Sequence, residues 1–155
     1  MSETGKAAII CLVFATSIAV SCAAEVRHRR KQAVTISVPK LRQALADCEN
    51  WDGVSIGRHG ERGPLQMKPA TWAQFSSKPH AWADTNEDVC HIEADRVELA
   101  YTRWLIGACI ALKKPVTPYM CGLIHNAGYG TVRGNAFVSE QVEFAMRVSN
   151  LYYAK

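Results

Sequence analysis

The sequence predicts a mainly α fold, α+β in detail, with about five helices and one small irregular β-element after the first domain helix. Three observations carry this. Apolar residues recur at helical spacing in separate stretches, the longest running from Val97 to Leu112. A glycine-rich run with Gly53, Gly57, Gly60 and Gly63 follows the first stretch, and within it Val54 and Ile56 alternate with polar residues. Helix punctuation is placed to match, with Pro39, Pro69 and Pro118 at starts and Lys113-Lys114-Pro115 and Gly128 at stops.

The elements follow in order. Leu41, Ala44, Leu45 and Cys48 form one helical face, and that helix ends around Glu49-Asn50. The glycine-rich run reads as a short β-element with a tight turn near His59-Gly60. A second helix starts near Pro69 and presents Trp72 and Phe75, and residues 76–84 read as a loop. Thr85 and Asp88 suggest a helix cap before the long central helix. Val97, Ala100, Tyr101, Trp104, Leu105, Ala108, Cys109 and Leu112 stripe that helix as core. Thr117-Pro118 opens the next helix. A loop through Gly130 and Gly134 then leads to a last helix from about Ser139, lined by Phe144, Val148, Leu151 and Tyr152.

Charge and the N-terminus divide the chain into 1–24, an export signal or membrane anchor, 25–38, a basic linker, and 39–155, one domain. Residues 7–24 are almost wholly apolar or small. Pairs of small residues, Ser21 with Ala23 or Cys22 with Ala24, suit signal-peptidase cleavage. A retained single span is the alternative, because the run approaches the roughly 20 residues a span needs. Ala19-Val20-Ser21-Cys22 also resembles a lipoprotein cleavage box, without its usual Leu. The net charge of +4 is concentrated in Arg27, Arg29, Arg30 and Lys31, leaving 13 basic against 12 acidic residues from Gln32 onward. That balance argues against a nucleic-acid-binding face on the domain. Four of the six cysteines, Cys48, Cys90, Cys109 and Cys121, remain beyond the leader, and export would allow disulfides among them in any of three pairings. No CxxC or paired-His spacing, nucleotide-binding glycine loop or Ser/His/Asp signature is present, so no metal and no cofactor is expected.

The candidate chemistry centres on Glu49. Cleaving a glycosidic bond needs a carboxylic acid held protonated beside the leaving oxygen, on a rigid and partly desolvated element. A Glu closing an amphipathic helix beside a glycine-rich wall meets that need, although a helix-end Glu is by itself an ordinary surface carboxylate.

Three segments change its weight: Cys48-Glu49-Asn50, then Gly63-Pro64-Leu65-Gln66-Met67-Lys68-Pro69-Ala70-Thr71-Trp72, then Ile124-His125-Asn126-Ala127-Gly128-Tyr129-Gly130. Their order and content resemble the lysozyme-like lytic transglycosylases of the soluble-lytic type and the goose-type lysozymes, over roughly residues 40–132. The resemblance implies a lysozyme-like fold and cleavage of the bond between N-acetylmuramic acid and N-acetylglucosamine in peptidoglycan. Glu49 is then the general acid and base. Gln66, His125, Asn126 and Tyr129 are the substrate-binding residues, peptidoglycan glycan strands the partner, and a monomer at the cell envelope, periplasmic or extracellular, the setting. Met67 and Trp72 read as core. Where the family has Ser, Leu and Tyr, this chain has Asn50, Pro64 and His125. His125 would bring a titrating group near Glu49.

A two-carboxylate hydrolase needs a second acid, for which Asp52, Glu61 and Asp84 are candidates. No pattern singles one out, which favours elimination to a 1,6-anhydro product. The substituted positions leave a second reading, a catalytically inactive glycan- or partner-binding module. A third makes the basic cluster the functional part of a membrane-anchored interaction module.

Overall fold

The structure, a computed structural model, describes residues 35–49, 56–85 and 87–154. The chain divides into two compact units, Met1–Thr35 and Ile36–Lys155, and all but one of the described residues belong to the second. The apolar N-terminal run and the basic cluster lie outside the described residues. Among those described, no helix is long and apolar enough to cross a membrane.

The second unit is mainly α. Its helices are α1 Val38–Glu49, α2 Pro69–Trp72, α3 Asp88–Ala111, α4 Pro118–Ala127, α5 Tyr129–Gly134 and α6 Ser139–Ala154, with a 3-10 turn at His80–Ala83. α3 packs on α1, on α4 and on the 3-10 turn, while α6 covers α1 and α4. Leu41 and Leu45 of α1, Val97 and Leu105 of α3 and Val148 of α6 are fully buried. Each such side chain contributes roughly 1.5–3 kcal/mol by leaving water. Gly122 lets α4 and α6 close together, since a Cβ there would lie 3.1 Å from Val148.

Local chemistry sets the helix ends. Thr117 caps α4 by accepting the Met120 N–H at 3.1 Å, with Pro118 in the first turn. α3 stops in a Schellman arrangement. Lys113 turns left-handed (φ 54°), and the N–H groups of Lys114 and Lys113 return to the carbonyls of Cys109 and Ile110. α1 ends at Glu49 and α6 begins at Ser139, as their apolar spacing predicts.

Several elements differ from the sequence reading. Among the described residues the β-element is one isolated antiparallel bridge, Arg62 to Met67, and there is no strand. Val54 and Asp52 fall outside the described residues. The bridge closes the four-residue turn Gly63-Pro64-Leu65-Gln66, whose ends join through Gln66 N–H to Gly63 O at 2.9 Å. The expected turn near His59-Gly60 is also present. Thr85 does not cap α3. Its hydroxyl donates to Ala81 O at 2.7 Å and closes the 3-10 turn inside the expected loop, and Glu87 stands at the cap without a side-chain bond. The loop through Gly130 is helix α5, because Val132 is apolar and finds a fully buried place in the core. Trp104, placed in the core by spacing, is 39% exposed, and a second α3 face, Cys90, Ala94, Glu98 and Thr102, is buried instead. Cys48, Cys90, Cys109 and Cys121 are free thiols, so the expected disulfide is absent among them. The Cys109 and Cys121 sulfurs lie 3.7 Å apart between α3 and α4.

Candidate active site

One cleft of about 570 Å³ gathers all five residues singled out from the sequence: Glu49, Gln66, His125, Asn126 and Tyr129. They come from segments far apart in the chain, and the packing of α1, α3 and α4 against residues 56–75 brings them together. Glu61, Lys68, Phe75, Tyr101 and Trp104 share the lining.

Glu49 closes α1, which is anchored through Leu41, Leu45 and Cys48. Its side chain is 20% exposed, enough to meet a ligand while largely removed from water. His125, on the last turn of α4, reaches Glu49 Oε1 through Nε2 at 2.7 Å, and its own side chain is only 6% exposed. On the other side, His125 Nδ1 meets the Tyr101 hydroxyl at 3.0 Å. Burial, and after it the charge of Glu49, pushes the Tyr101 phenol far above its usual range, so it keeps its proton. Having kept its proton, the phenol is a donor available to Nδ1, and in the tautomer that accepts it the chain of bonds runs from Tyr101 through the ring to Glu49. In that tautomer Nε2 carries the ring's proton and donates it to Glu49 Oε1. Oε1 is thereby occupied, and Oε2 is the oxygen left for a substrate. Phe144 stacks on one face of the ring at 5.7 Å and 24°, and Tyr101 lies tilted beside it at 5.7 Å and 60°.

Gln66 is placed by backbone geometry. It adopts a left-handed conformation (φ 43°) at the end of the Gly63–Gln66 turn, rare for a residue with a Cβ and characteristic of functional loops. Its Nε2 donates to Gly63 O at 3.0 Å, which turns Oε1 away from that carbonyl. Leu65 beneath it is fully buried, as are Met67 and Trp72 nearly so, which matches their reading as core; Met67 also borders the cleft. Any other residue at Gly63 would be strained, because φ is +73° and a Cβ would lie 2.6 Å from Ala83 O.

Asn126 and Tyr129 flank the break between α4 and α5. Gly128 supplies that break at φ 86°, ψ 154°, a region open only to glycine. Asn126 stands exposed on the cleft wall, and Tyr129 lies 6.3 Å from Trp104, ring to ring. Trp104 in turn stacks on Tyr101 at 5.8 Å and 16°. Tyr101 is buried in the core, as its spacing predicts, and also lines the cleft, whereas Trp104 leaves the core stripe; the cleft role of both is what sequence reasoning missed. Trp104 sits at the edge of that stripe, where an apolar period does not distinguish a core ring from a ring facing a cleft.

Of the candidate second acids, Glu61 lines the cleft, whereas Asp84 does not. Asp84 is bound through both carboxylate oxygens to Arg62 Nη1, at 2.9 and 3.0 Å. Among the described residues no group of three or more His, Cys, Asp or Glu is arranged to hold a metal ion.

No protein-family model, curated protein or solved structure matches the chain.

Proposed function

We propose that this chain is a lysozyme-like enzyme that cleaves peptidoglycan glycan strands between N-acetylmuramic acid and N-acetylglucosamine, with Glu49 as general acid and base. The observation that carries the reading is Glu49 itself, a partly desolvated carboxyl in a cleft, oriented by the Tyr101–His125 pair at 3.0 and 2.7 Å. The resemblance of the three segments to lysozyme-like enzymes supports it, since all three reach this one cleft.

Each residue then has a chemical task. Glu49 Oε2 delivers a proton to the leaving N-acetylglucosamine oxygen as the C1–O4 bond breaks. His125, donating to Oε1, fixes the plane of the carboxyl. Tyr129 and Trp104 offer ring faces to sugar rings, whose C–H faces are apolar. Gln66 and Asn126 supply amide hydrogen bonds to hydroxyl and acetamido groups. In the elimination that the sequence favours, Glu49 next removes the proton of the substrate's own C6 hydroxyl, and a 1,6-anhydro end results. In hydrolysis a water takes that place. The substrate sets the place of action at the cell envelope, beyond the cytoplasmic membrane, to which the N-terminal segment would export or anchor the enzyme.

The test is release of soluble muropeptides from purified peptidoglycan by the full chain, read by mass spectrometry beside Glu49→Gln. Wild-type release with a loss of at least about 100-fold in the variant is the expected result. Equal release by both proteins would remove Glu49 from the chemistry. Binding to peptidoglycan without release would replace the enzyme by a glycan-binding module.

A further inference from the structure

We infer that Cys109 and Cys121 are a redox pair, which oxidation joins in a disulfide that clasps α3 to α4 behind the Tyr101–His125 contact. Closure of the bond by a supplied oxidant is independent of the glycan-cleaving reading. Its use beyond the cytoplasmic membrane rests on that reading.

The two helices already meet twice along one seam. Tyr101, Leu105 and Cys109 follow one another at a spacing of four on α3, and Cys121 and His125 do so on α4. At the cleft end of the seam the Tyr101 hydroxyl meets His125 Nδ1 at 3.0 Å. Deeper in, the sulfurs of Cys109 and Cys121 meet at 3.7 Å, and Leu105 between the two meetings is fully buried. A disulfide bond is about 2.0 Å long, so the sulfurs must close by about 1.7 Å, a distance that two rotating side chains and a slight helix shift can share.

The geometry also chooses the pair. Cys90 precedes Cys109 on the same straight run of α3 by roughly 28 Å of helix axis, out of reach of either thiol. Cys48 Sγ donates instead to Phe144 O at 3.7 Å, and burial pushes its thiol above the usual range, which slows its exchange. In the seam the hydrogen bond from Cys121 holds the Cys109 thiol below its usual range despite burial, while the same bond and burial push Cys121 up. Cys109 is therefore the first to attack.

The Cys109 thiolate attacks one sulfur of a small or protein disulfide and expels the other as a thiolate. Cys121 then gives up its proton and attacks the mixed disulfide at Cys109, and the second sulfur of the oxidant leaves. The two cysteines lose two electrons and two protons, and the oxidant gains them as two thiols. Neither cysteine has exposed surface, so the exchange runs while the chain folds, before the seam closes. Compartments outside the cytoplasm, where the proposed function sets the enzyme, hold such oxidants. The bond joins residues twelve apart across the turn from α3 to α4, and it narrows the freedom of the unfolded chain there.

The experiment refolds the full chain with glutathione disulfide or with dithiothreitol. Every cysteine is mapped by alkylation and peptide mass, and thermal unfolding and muropeptide release are followed. The expected map joins Cys109 to Cys121, lighter by two hydrogens than the reduced peptides, with Cys48 and Cys90 alkylated once the chain is unfolded. The oxidised form should unfold about 5–10 °C above the reduced form. That difference should vanish in Cys109→Ala and in Cys121→Ala; should either fail to refold, the two states of the wild-type chain carry the comparison alone. Heated between the two midpoints, the oxidised enzyme should keep releasing muropeptides while the reduced one stops. Both thiols still free after oxidative refolding, a bond from either to Cys48 or Cys90, or an oxidised form no more stable than the reduced one would overturn the inference. Should wild type release nothing from peptidoglycan in either state, the proposed function falls, and the mapped bond with its Tm shift still decides the clasp.

Discussion

Glu49 and Glu61 face one cleft from walls of different construction. Glu49 ends a helix whose apolar face is sealed into the core at Leu41 and Leu45, both with no exposed surface. Glu61 sits on residues 56–68, where only Gly63, Leu65 and Met67 are buried and order comes from backbone hydrogen bonds and glycine conformations. Packing fixes the helical wall over many weak contacts, so its stability is spread out. The loop wall depends on a few positions, each hard to replace. An acid gains from the first kind of support, because its environment must stay dry.

The largest expected effect lies on the helical wall, at the partly buried ion pair of Arg42 with Glu98. Arg42 of α1 donates through Nε to Glu98 Oε2 and through Nη2 to Asp95 Oδ1, each at 2.6 Å, tying the Glu49 helix to α3. Glu98 is 2% exposed, and burial, joined by the charge of Asp95, raises its pKa against the pull of Arg42. Arg42→Ala strands that carboxylate and should cost about 3–5 kcal/mol in urea unfolding at neutral pH. Arg42→Met with Glu98→Leu should recover most of the loss. If the single variant costs under about 1 kcal/mol, the wall is held by apolar packing alone.

The matching break in the loop wall is Gly63→Ala. The added Cβ meets Ala83 O at 2.6 Å at a residue with φ +73°. The expected cost is about 1–3 kcal/mol, less than for Arg42→Ala. Muropeptide release should nevertheless fall further than unfolding alone explains, because Gln66 and Glu61 flank the turn. Activity that merely follows the folded fraction would show that the loop wall tolerates displacement.

These two walls were not equally legible in the sequence. Helical spacing placed α1, α3, α4 and α6, and Thr117-Pro118 fixed the start of α4 with its cap, because core burial and capping repeat at short range. The loop wall has no period. Its bridge between Arg62 and Met67 depends on a four-residue turn, and two hydrogen bonds make no strand. Gly130 and Gly134 within α5 read as loop in the sequence, and one buried residue, Val132, outweighs them. The site fared differently. Glu49, Gln66, His125, Asn126 and Tyr129 were legible as motif residues and meet in one cleft. The pairing of Tyr101 with His125, and the presence of Glu61 rather than Asp84 in the cleft, were not, since each depends on which distant side chains become neighbours.

A smaller effect separates positioning from packing on the helical wall. Tyr101→Phe keeps the ring among Phe75, Trp104 and His125 and removes only the hydroxyl from Nδ1. Stability should fall by about 1 kcal/mol. Turnover should fall about tenfold, the rate equivalent of one lost orienting bond, with KM unchanged, because the ring no longer has its tautomer fixed. An equal drop in Tyr101→Phe and in a variant that removes the whole ring would assign the effect to packing.

The smallest effect tests the seam where the loop leaves α3. Glu93 accepts hydrogen bonds from Arg96 and from Ser76 Oγ, and Arg96 also donates to Phe75 O at 2.7 Å, so one carboxylate ties the end of the loop wall to the long helix. The Arg96 bonds, then the Ser76 bond, lower its pKa from 4.5 to about 2. Between those values the unfolded chain binds a proton that the folded chain does not. The seam therefore contributes fully above the unfolded value and is lost as pH falls toward 2. Urea midpoints at about pH 6 and about pH 3 should differ less in Glu93→Gln than in wild type. Because the site is near the surface, solvent and salt screen it, and the difference should shrink in high salt. A pH slope unchanged by the substitution would mean that Glu93 carries none of the seam, and that the Arg96 bond to Phe75 O and the Phe75–Tyr101 ring contact at 5.8 Å hold the loop wall to α3.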